Sequence, residues 1–122
     1  MIVATILIIE DEAPICRILR LTLEAAGHEV QQAPNGRIGL AMYRERPTDL
    51  VITDLFMPEV NGLDVVLELT REFLDTKVIA ITGQGGEKEF SQVAKLLGAR
   101  QILHKPLSME KLLRAVTYEL AH

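Results

Sequence analysis

Val51-Ile52-Thr53-Asp54-Leu55-Phe56-Met57-Pro58 is the stretch around which the chain is organised. An apolar run, Leu50 to Ile52, leads to a single carboxylate, Asp54, and Pro58 and Asn61-Gly62 punctuate the residues after it. A short run bounded in this way predicts a buried strand that ends in a loop. In an open parallel sheet, ligands bind beyond the carboxyl ends of the strands, which is where Asp54 would stand. Taken alone, such an aspartate more often caps a turn. The function of Asp54 therefore depends on what the other strands deliver beside it.

Working outward, residues 5–9 (TILII) form a continuous β-branched and apolar run, the pattern of a strand covered on both faces. It stops at three acids, Glu10-Asp11-Glu12, and Pro14 suits the first turn of a helix. Ile15, Ile18, Leu19, Thr22 and Ala25-Ala26 recur at helical spacing, with Cys16 among them as a small core residue, and Gly27 is placed to end the helix. A short strand at 28–33, the turn Pro34-Asn35-Gly36, and a helix at 37–46 with Ile38, Ala41 and Met42 on one face come next. The third strand, 49–53, delivers Asp54; a helix with Leu63, Val66, Leu67, Thr70 and Phe73 comes after Asn61-Gly62. Residues 77–82 (KVIAIT) form a fourth strand, 83–86 a flexible glycine-rich loop, and Phe90, Val93, Ala94 and Leu97 mark a fourth helix closed by Gly98. A fifth strand at 101–104 breaks at Lys105-Pro106, and Ser108 can cap a last helix whose core face is Met109, Leu112, Leu113, Val116 and Leu120.

Strand then helix, five times with short links, predicts one parallel sheet with helices on both faces and right-handed crossovers. The 122 residues suffice for one domain, spanning 1–122, and 48% apolar content can fill its core largely with aliphatic side chains. A net charge of −4 with scattered Lys and Arg gives no electrostatic footprint for direct nucleic-acid binding. A single cysteine leaves no internal disulfide and no multi-cysteine zinc site. No apolar run approaches a membrane span, and residues 1–5 lack the basic flank and cleavage site of a signal peptide, so a cytoplasmic location is expected.

Polar residues end four of the five strands: Glu10-Asp11, Asp54, Thr82 and Lys105. Each has an ordinary alternative. The acids at 10–12 favour a helix N-terminus through its dipole, Thr82 can cap a turn, and Lys105 can be a solvated lysine. Coincident polar ends on four apolar strands are harder to assign to solvation, because a parallel sheet brings them to one edge. Clustered carboxylates repel unless a cation joins them, and hard oxygen ligands without cysteine or a placed histidine favour Mg²⁺ over zinc. An aspartate beside Mg²⁺ and a lysine is arranged to attack phosphorus and become an acyl phosphate. The metal and Lys105 would neutralise the transferring group, and Thr82 would donate a hydrogen bond to it.

With those motifs in place, the chain resembles the receiver domain of two-component response regulators over essentially its whole length. The resemblance rests on Glu10-Asp11, on Asp54 through Met57-Pro58 to Asn61-Gly62, on Thr82-Gly83 and on Lys105-Pro106. It implies an α/β, flavodoxin-like (βα)5 fold with strand order 2-1-3-4-5. It implies phosphoryl transfer from a sensor histidine kinase or histidine phosphotransfer protein to Asp54. Asp11, Asp54 and the Phe56 carbonyl would hold Mg²⁺, Glu10 would act mainly through water, Lys105 would contact the phosphoryl group, and the Lys105-Pro106 bond would be cis. The domain would catalyse only its own phosphotransfer and autodephosphorylation. It would act through a surface of helix four, strand five and helix five that meets an effector, an output domain or a second copy. Three features set the chain apart within the family's pattern: the first acid is Glu10 rather than Asp, Ile102 stands at the aromatic switch position, and the two variable positions beside the phosphoryl group hold Phe56 and Gln84. Ile102 is therefore expected to pack rather than swing, leaving the switch to Thr82.

Rival assignments fare less well. A haloacid-dehalogenase-type phosphatase needs a second Asp where Phe56 stands. A nucleotide or flavin binder would need G-x-G-x-x-G after strand one, whereas Gly83-Gln84-Gly85-Gly86 comes after strand four and the spacing fails at Lys88. A receiver-like scaffold with phosphorylation secondary would not require the full set of Glu10, Asp11, Asp54, Thr82 and Lys105.

Overall fold

The computed structural model describes residues 3–57, 61–83 and 87–122; the expectations placed on Pro58, Gln84 and the side chain of Phe90 fall outside what is described. Five strands alternate with five helices: β1 Thr5–Ile9, α1 Ala13–Ala25, β2 Glu29–Ala33, α2 Gly36–Glu45, β3 Leu50–Asp54, α3 Gly62–Glu72, β4 Val78–Thr82, α4 Glu87–Leu97, β5 Gln101–His104 and α5 Met109–Ala121. All strand pairs are parallel and the order is β2-β1-β3-β4-β5, the flavodoxin-like topology. Helix starts are set locally. Asn35 Oδ1 accepts from Ile38 N at 2.8 Å, Asn61 Oδ1 from Asp64 N at 3.0 Å and Ser108 Oγ from Lys111 N at 3.2 Å. Gly27 and Gly98, at φ 98° and 119°, carry the chain out of α1 and α4 through left-handed backbone.

The period-two alternation of the strands divides the core into two layers. Leu7, Ile9, Val51, Val78 and Ala80 face α2, α3 and α4 and meet Leu40, Tyr43, Val65, Val66, Leu69 and Ala94. Ile6, Ile8, Leu50, Ile52, Ile79 and Ile81 face α1 and α5 and meet Cys16, Leu19, Leu23, Leu112, Ala115 and Val116. The same parity carries past the strand ends. Glu10 follows Ile6 and Ile8, Asp54 follows Leu50 and Ile52, and Lys105 follows Leu103, so these three side chains share the α1/α5 face. Thr82 follows Val78 and Ala80 on the opposite face, and Ile102, which pairs with Ala80, packs there too.

The helical faces differ in detail from those expected. In α1, Cys16, Leu19 and Leu23 form the buried stripe, while Ile18 is 52% exposed at its edge. In α2, Gly39, Leu40 and Tyr43 turn inward and Ala41 is exposed. Gly39 is needed there, because a Cβ would lie 2.4 Å from Ile9 Cδ1. Polar ties join helices across the layer. Tyr43 Oη and Thr76 Oγ1 lie 3.0 Å apart, and Thr70 Oγ1 donates to the Leu97 carbonyl of α4 at 2.7 Å.

One glycine holds the loop that shapes the site. Gly62 N donates to the Leu55 carbonyl at 3.0 Å, and a Cβ at Gly62 would lie 2.1 Å from the Asp54 carbonyl oxygen and 2.4 Å from Leu55 Cα. Backbone atoms cannot move aside as a side chain end can. Gly83, by contrast, has no heavy atom within 4 Å of a built Cβ. Gly62→Ala should therefore destabilise the protein by about 1–3 kcal/mol in urea unfolding, whereas Gly83→Ala should stay within about 0.5 kcal/mol. Equal effects of the two substitutions would contradict this account of the β3–α3 loop.

Candidate functional site

Backbone bonds continue the sheet beyond the strand ends, from β1 to β2, from β3 to β4 and from β5 to β4. Glu10 N donates to the Ala33 carbonyl at 3.1 Å, Leu55 N to Ile81 at 2.8 Å and Lys105 N to Thr82 at 2.8 Å. The residues expected at the site from sequence are thus held on a rigid edge rather than on free loops. The Lys105-Pro106 bond is cis, as the resemblance implies.

Asp54 is buried, 2% exposed, and both carboxylate oxygens are engaged. Oδ1 accepts from Phe56 N at 2.9 Å and Oδ2 from Lys105 Nζ at 2.8 Å. The ammonium also lies 3.2 Å from Glu10 Oε1 and 3.3 Å from Glu12 Oε1. Glu10, Glu12 and Asp54 each offer a carboxylate oxygen within 4.8 Å of the others. Asp11 is exposed at the rim and is not one of these converging carboxylates. Glu12 is the residue that sequence reasoning missed: its acid was assigned to the helix dipole. The one signal in the sequence was its nearness to Glu10; the structure adds that its backbone is extended (φ −86°, ψ 104°) just before α1.

Charge crowding shifts the proton affinities of Glu10 and Lys105. Burial, then a hydrogen bond to Asp54 and the Asp54 charge, push the Glu10 carboxyl up to about 8, against the opposing pull of Lys105. Burial lowers the affinity of Lys105 for its proton, but the bond to Asp54 and the charges of Asp54 and Glu10 outweigh it and hold the ammonium well above the usual lysine range. Lys105 is therefore a permanent cation in this pocket.

Of the three buried side-chain oxygens that lack a hydrogen-bond partner among the described residues, Ser91 Oγ lies on α4 and the other two stand at the strand ends. Glu10 Oε1 lies near Lys105 but makes no hydrogen bond of good geometry, and Thr82 Oγ1, on a residue with no exposed surface, has no partner. Unsatisfied buried polar atoms are costly and rare. They lie at the ends of β1 and β4, which flank Asp54 on either side through β1–β3 and β3–β4 pairing. The donor set is all oxygen and anionic, which suits a hard divalent cation rather than a soft one. Ile102 is half-buried among the α3/α4-side core residues and does not reach the carboxylates' face. No helix among the described residues is long and apolar enough to cross a membrane.

Comparison with known proteins places this geometry. The family model described as the response regulator receiver domain matches residues 6–117. Protein PilH of Pseudomonas aeruginosa is 34% identical over 119 residues, covering 97% of this chain and 98% of PilH. The phosphate regulon transcriptional regulatory protein PhoB of the same species is also 34% identical, but over 92% of this chain and 49% of PhoB, so the chain spans about half the length of that relative. Among solved structures, a response regulator receiver domain protein from Clostridium thermocellum superposes with a TM-score of 0.91 at 32% identity, covering 97% of this chain and 94% of that one. By the family match over residues 6–117 and by these relatives, the chain belongs to the receiver domain family of two-component response regulators.

Proposed function

We propose that the chain, as one receiver domain over residues 1–122, is phosphorylated on Asp54 in a Mg²⁺-dependent reaction and signals through the state of that residue. One observation carries the proposal: a buried carboxylate, paired to a lysine, lies between strands whose ends present two buried oxygens with no hydrogen-bond partner among the described residues. A water on a bound cation would satisfy Glu10 Oε1, and a phosphoryl oxygen would accept from Thr82 Oγ1.

In this reading Asp11, Asp54 and the Phe56 backbone carbonyl hold Mg²⁺, with Glu10 acting through water. The ion would supply neutralisation of the transferring phosphoryl group. The chain's own residues do the rest. The Phe56 amide fixes Asp54 Oδ1, so the carboxylate is oriented before the donor arrives. A carboxylate oxygen forms the new P–O bond as the bond from phosphorus to the histidine nitrogen of the donor breaks, and the electron pair leaves with that nitrogen. Lys105 moves its ammonium from the carboxylate to a phosphoryl oxygen. Phe56, 41% exposed, covers one approach of water to the acyl phosphate and so slows autodephosphorylation. The donor is a histidine kinase or phosphotransfer protein. The receiving surface is α4, β5 and α5, for an effector, an output domain or a second copy. A receiver-like scaffold would not need the two unpartnered oxygens.

Treatment with acetyl phosphate and Mg²⁺ should add one phosphoryl group by intact-mass spectrometry, and Asp54→Asn should remove the adduct. An adduct persisting in Asp54→Asn would assign the wrong acceptor.

The raised Glu10 carboxyl gives a pH dependence of definite sign. Its folded value, about 8, exceeds its ordinary 4.5, so the stability it contributes is full below about 4.5 and is lost as pH rises through about 8. Metal-free protein should become less stable across that window, and Glu10→Gln should flatten the slope and raise the melting temperature at pH 8. Mg²⁺ must displace the proton, so its apparent affinity should rise by about ten-fold per pH unit toward pH 8 and then level off. A flat affinity profile with one unchanged melting curve would refute this coupling.

The switch should run through Thr82. With beryllofluoride and Mg²⁺, amide NMR shifts in α4 and β5 should largely survive Ile102→Val, which only trims packing, and largely vanish in Thr82→Ala. The reverse order would make Ile102 the moving part.

A further inference from the structure

The cluster contains one carboxylate that the phosphorylation chemistry does not require. Glu12 is the N-cap residue of α1, yet its side chain makes no capping bond. It reaches instead across the strand ends to Lys105 Nζ at 3.3 Å, 93 residues away in sequence. It does so from the open side of the pocket: the Glu12 side chain is 58% exposed, whereas those of Glu10 and Asp54 are 1% and 3% exposed. The ammonium thus has two buried partners and one partner in water.

We infer that Glu12 is a positioning residue that holds the Lys105 ammonium in the unmodified protein and opposes the phosphoryl group on Asp54. The inference rests on the phosphoacceptor reading of Asp54. Two effects act in the same direction. An ammonium has three donors, and any that bonds a phosphoryl oxygen must be withdrawn from a carboxylate; the solvent-exposed Glu12 is the partner that water can most readily replace. A phosphoryl group also adds negative charge beside a carboxylate already within 4.8 Å of Asp54. Glu12 therefore favours the unphosphorylated state through a contact made mainly in that state, which is what a bias on a two-state equilibrium requires. Its effect on the metal is opposite. A further anion in the pocket attracts a divalent cation, so Glu12 strengthens Mg²⁺ binding while weakening the phosphoryl mimic.

Glu12→Gln separates these effects, since it keeps the length and removes the charge. In the full chain, Mg²⁺ alone should bind about two- to five-fold more weakly, and beryllofluoride at saturating Mg²⁺ about two- to five-fold more tightly, the range of a half-exposed ion pair. Acetyl phosphate at saturating Mg²⁺ should label Asp54 faster by a similar factor. The Lys105 side-chain ammonium signal in NMR should shift in metal-free Glu12→Gln, and in Glu12→Asp, which keeps the charge but shortens the reach. A capping role would instead lower the melting temperature and leave these readouts in place. Weaker beryllofluoride binding in Glu12→Gln would make Glu12 a ligand rather than an opponent and overturn the inference. Unchanged binding and an unchanged Lys105 signal would make it a surface acid and also overturn it. If the wild-type protein binds no beryllofluoride with Mg²⁺, the phosphoacceptor reading itself fails, and this inference with it.

Discussion

Glu10 and Asp54 are two buried carboxylates brought together by the pairing of β1 with β3, and their repulsion is the constraint to which the pocket responds. At about 4 Å and an effective dielectric near 20, such a pair costs roughly 4 kcal/mol if both are ionised and nothing intervenes. Two groups relieve it here: the Lys105 ammonium and the proton that Glu10 retains. Neither is a permanent solution for Glu10, whose Oε1 keeps no good hydrogen bond. The pocket thus keeps an electrostatic deficit that an added cation would relieve. A deficit of this kind is tolerable because the sheet edge beneath it is rigid and the aliphatic layers on both sides are well filled.

The same rigidity explains why so much was legible in the sequence. The alternation of apolar runs with helical spacing marked all ten elements, and the strand-end residues Glu10, Asp54, Thr82 and Lys105 could be named because each interrupts an apolar strand. Parity then places Glu10, Asp54 and Lys105 on one face, an argument available from residue numbers alone once the strands are aligned. What escaped was the finer phase of the helices. Ile18 and Cys16 both fit a helical stripe, and only the angle at which α1 crosses the sheet selects Cys16, Leu19 and Leu23 for the interior.

Charged side chains were the harder residues to read, because their length lets them choose among partners. Glu119 is an example outside the pocket. It continues the stripe Leu112, Ala115, Val116 on α5 and is 4% exposed, with Oε2 accepting from Gln101 Nε2 on β5 at 2.7 Å and Arg100 3.7 Å from its other oxygen. Spacing alone would have marked position 119 as interior, and its acidity argued the opposite. Glu12 is a related case: although exposed at the start of α1, it brings a carboxylate oxygen near those of Glu10 and Asp54.

The opposite parity of Asp54 and Thr82 makes the sheet a partition between two compartments that can drift separately. Residues in the compartment of α1 and α5 answer to the acids and the lysine, and a change there alters chemistry. From the compartment of α3 and α4, Thr82 brings one hydroxyl to the site at the end of β4, and Gly62 packs against the Asp54 backbone rather than its carboxylate. The outward surface of α4 lies on the far side of the sheet from Glu10, Asp54 and Lys105, so a lineage can vary that face while the carboxylate pocket stays as it is.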